Sequence, residues 1–267
     1  GNISKGDLKV NASGTYNMKN NIHKVTVPAD IPGLNLDPLM GGRKAAATSS
    51  GSGGGGTAAK TSAAKKPILD PVIFNKLNVA ANVKLNKLIF KGLTFSGASV
   101  NAKLNQGATD ATFGAKYGNA SLNGTFKGNL TAQSGQKALT FKSSGLPIEP
   151  FMKAFMNKDL LAGALTADIN VSGTGMDIDD FKRSLTGQVS ANIGSGQIQV
   201  GPGLSFSSIV LDMPFNSGKG DIKKGSMTGN VISADLTGWI DLSKDTLAVT
   251  LTPTQAMPVE ALASIVG

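Results

Sequence analysis

From Leu77 onward the chain alternates between apolar and polar positions. Leu77, Val79, Ala81, Val83 and Leu85 share one parity, and Asn78, Ala80, Asn82 and Lys84 share the other. A period of two puts each set on its own face of a strand, so one face is driven out of water. Similar runs occupy 88–95, 98–104, 111–117, 120–126, 129–132 and 138–142, then 164–171, 187–193, 197–200, 226–236, 239–242 and 246–252. Gly and Asn punctuate them, as hairpin turns require. The pattern predicts a mainly β protein, built on a long, curved antiparallel sheet. It is a meander of hairpins forming an open, taco-like groove, accompanied by two or three short helices.

Three interruptions of the alternation predict those helices. Pro147-Ile-Glu-Pro150 opens a helical segment over 151–157, in which Phe151, Phe155 and neighbouring methionines supply one apolar stripe. It is expected to plug or cap the sheet. Asp177, Asp179 and Asp180 suit a helix N-terminus within 176–184. After Pro253 and Pro258 end the sheet, 259–266 fits a short terminal helix.

Upstream, the chain divides into two further zones. Residues 1–42 carry strand-like stretches at 7–12 and 23–27, before Pro28 and Pro32, which are expected to stop any ladder. This zone is too short to fold alone and reads as the end of a preceding β region, with pairing to the main sheet left open. Residues 43–66 contain only Ala, Gly, Ser, Thr, Lys and Arg, with no apolar side chain larger than alanine. They read as a flexible linker to the β domain at 67–267.

Composition supports the β reading: 34 glycines and 16% charged residues in 267 point to short strands and tight turns. The absence of cysteine removes a disulfide frame, a thiol nucleophile and Cys-ligated metal at once. A net charge of +9 suits anionic partners. However, Lys84 and Lys103 sit at alternate strand positions, where a solvated face needs them, and few aromatics interleave to stack bases. Nucleic acid is therefore not an expected partner. No apolar run approaches the roughly 20 residues of a membrane helix, and no signal peptide opens the chain. Because it starts at Gly1, any membrane anchor is expected to lie upstream of it.

No enzyme chemistry emerges from the residues. The single histidine, His23, stands outside the main β domain and reads as an ordinary strand residue, which disfavours a His-centred triad or metal cage. Phe181-Lys-Arg183 follows the Asp177–Asp180 cluster where a calcium loop needs glycine and a later glutamate. The Gly-rich stretch before Lys60 has Ala59 where a phosphate loop needs glycine. Gly194-Ser-Gly196 and Gly201-Pro-Gly203 read as turns. No catalytic residue, metal site or cofactor is predicted.

An open sheet with one apolar face must cover it with helices, another sheet or a ligand. Acyl chains are suitable cover, since each buried methylene is worth on the order of 0.8 kcal/mol without directional chemistry. Leu77, Val83, Leu85, Phe90 and Phe95 are candidate groove-lining residues. Phe113, Phe126, Phe141, Leu165 and Ile169 complete that set, and Phe151 and Phe155 are candidates to close one end.

The order Leu161-Ala-Gly-Ala-Leu-Thr-Ala-Asp-Ile-Asn-Val-Ser-Gly-Thr-Gly175, Ile178-Asp-Asp-Phe181, then Ser184-Leu-Thr-Gly-Gln-Val-Ser-Ala-Asn-Ile-Gly-Ser-Gly-Gln-Ile198 resembles the C-terminal region of bacterial AsmA-family proteins. Leu34-Asn-Leu-Asp-Pro-Leu39, Leu85-Asn-Lys-Leu-Ile-Phe-Lys-Gly-Leu93, Leu236-Thr-Gly-Trp-Ile-Asp-Leu242 and Thr246-Leu-Ala-Val-Thr-Leu-Thr-Pro253 continue the likeness in collinear order. The resemblance implies a non-enzymatic protein of the bacterial periplasm, held to the inner membrane by an N-terminal helix. It further implies a part in outer-membrane lipid homeostasis and envelope biogenesis, and kinship with TamB and the bridge-like lipid transfer proteins. The expected partner is phospholipid or another acyl-chain lipid, with envelope proteins besides. Two alternatives compete with lipid conduction. One is a scaffold for outer-membrane protein assembly acting by strand pairing, and the other an adhesin or glycan-processing β protein.

Overall fold

The computed structural model describes residues 2–5, 8–12, 15–19, 22–37, 71–131, 135–175, 177–199, 203–229 and 232–254. The predicted linker at 43–66 and the terminal helix predicted at 259–266 lie outside the described residues. The first zone contributes β1 (Asn2–Lys5), β2 (Leu8–Ala12), β3 (Thr15–Lys19), β4 (Ile22–Ile31) and β5 (Leu34–Asn35). One helical turn, α1 (Pro71–Phe74), leads into β6 (Leu77–Phe90), β7 (Leu93–Asn105), β8 (Ala108–Tyr117), β9 (Ala120–Asn129) and β10 (Lys137–Pro147). Helix α2 (Ile148–Met156) precedes β11 (Leu161–Ala162) and β12 (Ala164–Gly173), and α3 (Ile178–Ser184) precedes β13 (Thr186–Ile198). Then come β14 (Leu204–Asn216), β15 (Lys219–Asp221), β16 (Lys224–Thr228), β17 (Ala234–Asp241) and β18 (Thr246–Pro253).

All eighteen strands form one sheet. Pairing runs antiparallel along the chain from β6 to β18, so the predicted meander is realised there. The sheet is mixed, not purely antiparallel, because β4 and β5 join β6 in parallel, in registers such as Val25↔Val79 and Leu34↔Leu88. That pairing brings residues 22–35 into the main sheet. A parallel neighbour needs a long crossover, and residues 36–76 supply it. Among the described residues β1 pairs only with β2 and β18 only with β17, so the sheet stays open and does not close into a barrel.

Four sequence expectations change in detail. Residues 88–95 are not one strand: Lys91 and Gly92 take positive φ and turn β6 into β7. Residues 226–236 divide between β16 and β17, and 197–198 continue β13. The 129–132 run reduces to Asn129 at the end of β9, with Leu130 and Thr131 outside any strand and Ala132 outside the described residues.

Pro28 does not stop the ladder. It lies within β4 beside Asn82 of β6, and on its other side β3 registers up to Thr26 and β2 from Ala29. It therefore faces a break between two short strands, where a missing N–H costs no ladder bond. Pro214 has the same setting in β14, between the β16 register ending at Asp212 and the β15 register starting at Phe215.

Curvature comes from irregularities shared by neighbouring strands. Asn86 and Lys87 in β6 and Ser96 and Gly97 in β7 are consecutive exposed residues, and Gly97 takes φ 55°. The apolar parity changes there on both strands together, from Leu85 to Leu88 and from Ala98 to Phe95, so the face is kept while the ribbon bends. A bulge between Ser143 and Leu146, around Gly145 at φ 67°, does the same in β10.

Candidate functional site

Cross-strand registers place the apolar residues of successive strands side by side. One line runs Ala29, Val83, Val100, Phe113, Gly124, Phe141, Ile169, Val189 and Met213. A second runs Leu146, Leu165, Ile193, Ile209, Met227 and Ala234. The result is a continuous apolar inner face crossing the strands. Over β13 to β17 this face becomes core: Ile193, Phe206, Ile209, Met227, Ile232, Ala234 and Leu236 form one buried cluster.

All ten residues expected to line the groove lie on this inner face. Leu85 and Phe95 are buried at 6% and 8% exposure, so they belong to the packed core as much as to a lining. The other eight are half-buried. Leu77 pairs with His23, Phe126 stands between Ala111 and Leu139, and Leu165 between Leu146 and Ile193. Leu85, Phe90, Phe95, Phe113 and Phe141 meet with Leu36 and others around one apolar hollow of about 420 Å³. Leu77, Val83, Phe126, Leu165 and Ile169 lie outside its lining.

Phe113 owes its position to Gly124. A Cβ on Gly124 would stand 2.3 Å from Phe113 Cζ and 2.7 Å from the Thr140 carbonyl oxygen. The bare glycine thus lets the Phe113 ring lie across β9 towards Phe141.

Helix α2 closes one rim. Pro147 stands at its N-cap position in extended conformation, without a side-chain capping hydrogen bond, and Pro150 occupies its first turn, where the missing N–H has no intrahelical partner. Asn157 in the left-handed region ends it, donating its N–H to the Lys153 carbonyl. Phe151 packs edge-on against Tyr117 and Phe95, with centroids 5.1 and 6.1 Å apart. Phe155 tilts onto Phe90 at 5.9 Å, with Lys91 Nζ 4.5 Å over its outer side. The predicted capping pair therefore roofs the Phe90–Phe95 end, with Phe151 inside and Phe155 half out.

Helix α3 sits at the opposite strand ends, between β12 and β13. Asp177 caps it by accepting the Asp180 N–H at 2.7 Å, and Asp180 pairs with Arg183. Asp177 is thus committed to helix capping and Asp180 to Arg183. Phe181 packs on the third cluster, beside Val171, Leu185, Met213 and Phe215.

Two features escaped the periodicity. Strand β14 supplies Phe206, Ile209, Met213 and Phe215 to the core, but serines at 205, 207 and 208 and Pro214 mask its alternation. Lys137 has inner-face parity and is 1% exposed. Its Nζ donates to the carbonyls of Gly175 at 2.6 Å and Gly135 at 3.1 Å, tying the α3 approach to β10. Burial pushes its pKa below the ordinary lysine value.

The outer face is polar, as alternation requires. Lys84 and Lys103 are exposed there, and Lys127 and Lys142 pair with Asp110 and Asp168 at 3.5 and 2.7 Å. A hollow of about 560 Å³ on this side is lined in part by Asn123, Lys142, Asp168, Ser190 and Asp212. Asp212 accepts hydrogen bonds from Ser190 and Gln188. Among the described residues no group of three or more His, Asp or Glu side chains is placed to hold a metal ion, and no helix is long and apolar enough to cross a membrane.

An open single sheet with one continuous apolar face, roofed at its rims by short helices, defines a β-trough. The chain belongs to the AsmA family: the family's model matches residues 56–213, more than half of the 267. The match spans β6 to Met213 of β14 and leaves β15 to β18 beyond it. No curated protein and no solved structure matches the chain. Membership of the AsmA family is consistent with a lipid-related role in building the cell envelope.

Proposed function

We propose that the inner face is a passive track for phospholipid acyl chains, and that the domain binds or conducts lipid without making or breaking bonds. The observation that carries this reading is the continuity of the inner face, which presents apolar side chains from β4 to β18. A tail laid across several strands gains on the order of 0.8 kcal/mol per buried methylene. Head groups stay in water at the rim, where Lys91 and Lys153 offer positive charge. The same reading puts the protein in the bacterial periplasm, held to the inner membrane, and gives it a part in outer-membrane lipid homeostasis.

Native mass spectrometry of the purified protein is expected to reveal bound phospholipid, and delipidated protein is expected to take up a fluorescent phospholipid. Phe113→Asp, on the inner face, should abolish uptake, whereas Thr112→Asp, on the outer face, should leave it intact. Uptake that ignores which face carries the charge refutes the trough.

A second reading, a scaffold acting by strand pairing, draws on β18, whose eight residues are all exposed and carry no lysine or bulge to protect the edge. Its mark would be crosslinking of β18 to an outer-membrane protein, undiminished by Phe113→Asp.

A further inference from the structure

The rim that carries α2 is apolar and basic at once. Phe155 is 49% exposed, Met156 53% and Leu160 38%, although the other side of α2 packs through Phe151 and Ala154 on the cluster around Phe95. The backbone that presents them is held by the Asn157 cap and by the Gln199 N–H, which donates to the Leu160 carbonyl at 2.8 Å. Three lysines border the patch: Lys153 on the same helix, Lys158 just after it, and Lys91, whose Nζ lies 4.5 Å over the Phe155 ring. Lys87 and Lys116 flank Ser96 on the outer face of the same strand ends. None of the five forms an ion pair among the described residues, whereas Lys127, Lys142, Lys182, Lys219 and Lys244 all do. The acids of this rim are Asp37, Glu149 and Asp159, and Asp37 already accepts the N–H groups of Lys91 and Gly92. Cations are therefore in excess.

We infer that this rim docks on the surface of an anionic phospholipid bilayer. Phe155, Met156 and Leu160 enter the boundary between head groups and acyl chains, and the lysines rest on the phosphates. Apolar side chains for shallow insertion, flanked by cations on long stems, are the combination such a surface selects. A protein partner fits less well, because three side chains offer roughly a few hundred Å², against about 1,200 Å² for a stable interface. Nucleic acid fits no better: Phe155 is stacked on Phe151 and covered by Lys91, so its ring offers no free face to a base. Exposure alone does not single out α2, since Ile178 on α3 is exposed at 64%. That residue, however, stands between Asp177 and Asp179, which an anionic surface repels. The docking goes beyond the acyl-chain track and does not depend on it.

Flotation of the full chain with vesicles tests the inference. Vesicles of phosphatidylglycerol and phosphatidylcholine in equal parts should bind it at least about tenfold better than pure phosphatidylcholine, since each lysine near an anionic surface contributes about fivefold, or about 1 kcal/mol. Lys153→Gln with Lys158→Gln should weaken binding by about 25-fold, and Met156→Asp by about fivefold or more. Lys223→Gln with Lys224→Gln, at the start of β16, should leave it unchanged. The chain has no cysteine and one tryptophan. An environment-sensitive dye on Met156→Cys should therefore shift to the blue on the anionic vesicles, while Trp239, on the outer face of β17, keeps its emission.

Equal binding to both kinds of vesicle overturns the inference, as does full binding by Met156→Asp or by the Lys153→Gln, Lys158→Gln variant. A shift at Trp239 with none at position 156 also overturns it. So does docking that Phe113→Asp abolishes and Met156→Asp spares, because the trough is then what binds the vesicle. A dimer that forms without vesicles and that Met156→Asp dissolves assigns the rim to a second copy, and likewise overturns it. Docking by a protein that takes up no fluorescent phospholipid supports the inference and refutes the acyl-chain track alone.

Discussion

Gly124 offers a direct test of how the trough is built. In Gly124→Ala the new Cβ would lie 2.3 Å from Phe113 Cζ, 2.6 Å from Phe113 Cε2 and 2.7 Å from the Thr140 carbonyl oxygen. Real Cβ contacts are not so short, so the Phe113 ring must swing away from β9 and β10 must shift slightly. Overpacking of this kind costs about 1–3 kcal/mol. For a chain of this size that is about 2–4 °C in Tm for each kcal/mol, so a central cost near 2 kcal/mol lowers Tm by about 4–8 °C. The assay is a double-mutant cycle read by urea or thermal unfolding. Phe113→Ala alone removes a half-buried ring and costs roughly 2 kcal/mol, less than a fully buried Phe. If the ring is the obstacle, Gly124→Ala should cost markedly less in the Phe113→Ala background, with a coupling energy of about 1 kcal/mol or more. Equal penalties in the two backgrounds would refute the argument that Gly124 exists to seat Phe113. The displaced ring also enters the 420 Å³ hollow, so Gly124→Ala should lower phospholipid uptake while the protein remains folded.

Further outcomes follow from the rims and the buried lysine. Lys137 is held below its ordinary pKa by burial, so as pH approaches 10.5 the unfolded chain binds more protons at this site than the folded one. Stability should therefore rise as pH increases towards 10.5, and Lys137→Met should flatten that rise in urea midpoints. Asp177→Ala removes the cap on α3 and should cost about 1 kcal/mol, with faster hydrogen exchange at the Asp180 amide. Phe151→Ala removes two edge-on aromatic contacts of about 0.5–1.5 kcal/mol each beyond its area. Limited proteolysis should then cut within α2, while β12 to β14 stay protected.

Several elements were legible because their signal is local. The alternation from Leu77 to Leu85 depends only on which residues neighbour one another along the strand, and it places those side chains on one face. The α3 cap was legible for the same reason, since Asp177 reaches a donor only three residues away. Strand β14 was hidden because Pro214 argues against a strand wherever its neighbours are unknown. Only the break between β15 and β16 makes it harmless. Pro28 repeats the case between β2 and β3. Lys137 was unreadable because its partner, the Gly175 carbonyl, lies 38 residues away.

By itself the sequence determined the class of protein: a one-sided β sheet with an apolar inner face, punctuated by helical segments expected at 151–157 and within 176–184, which the structure places at 148–156 and 178–184, and without a legible set of catalytic residues. Its collinear segments also led to the AsmA family, because the spacing of strands and turns survives without any knowledge of what touches what. Tertiary structure alone decided that the first zone joins the main sheet in parallel, that Phe151 and Phe155 roof the end formed by Phe90 and Phe95, and that the apolar face continues onto Leu247, Val249 and Leu251 of β18. Those outcomes depend on registers between distant segments. Each register is set by matching an apolar face and its bulges against a neighbour, and that information belongs to neither strand alone.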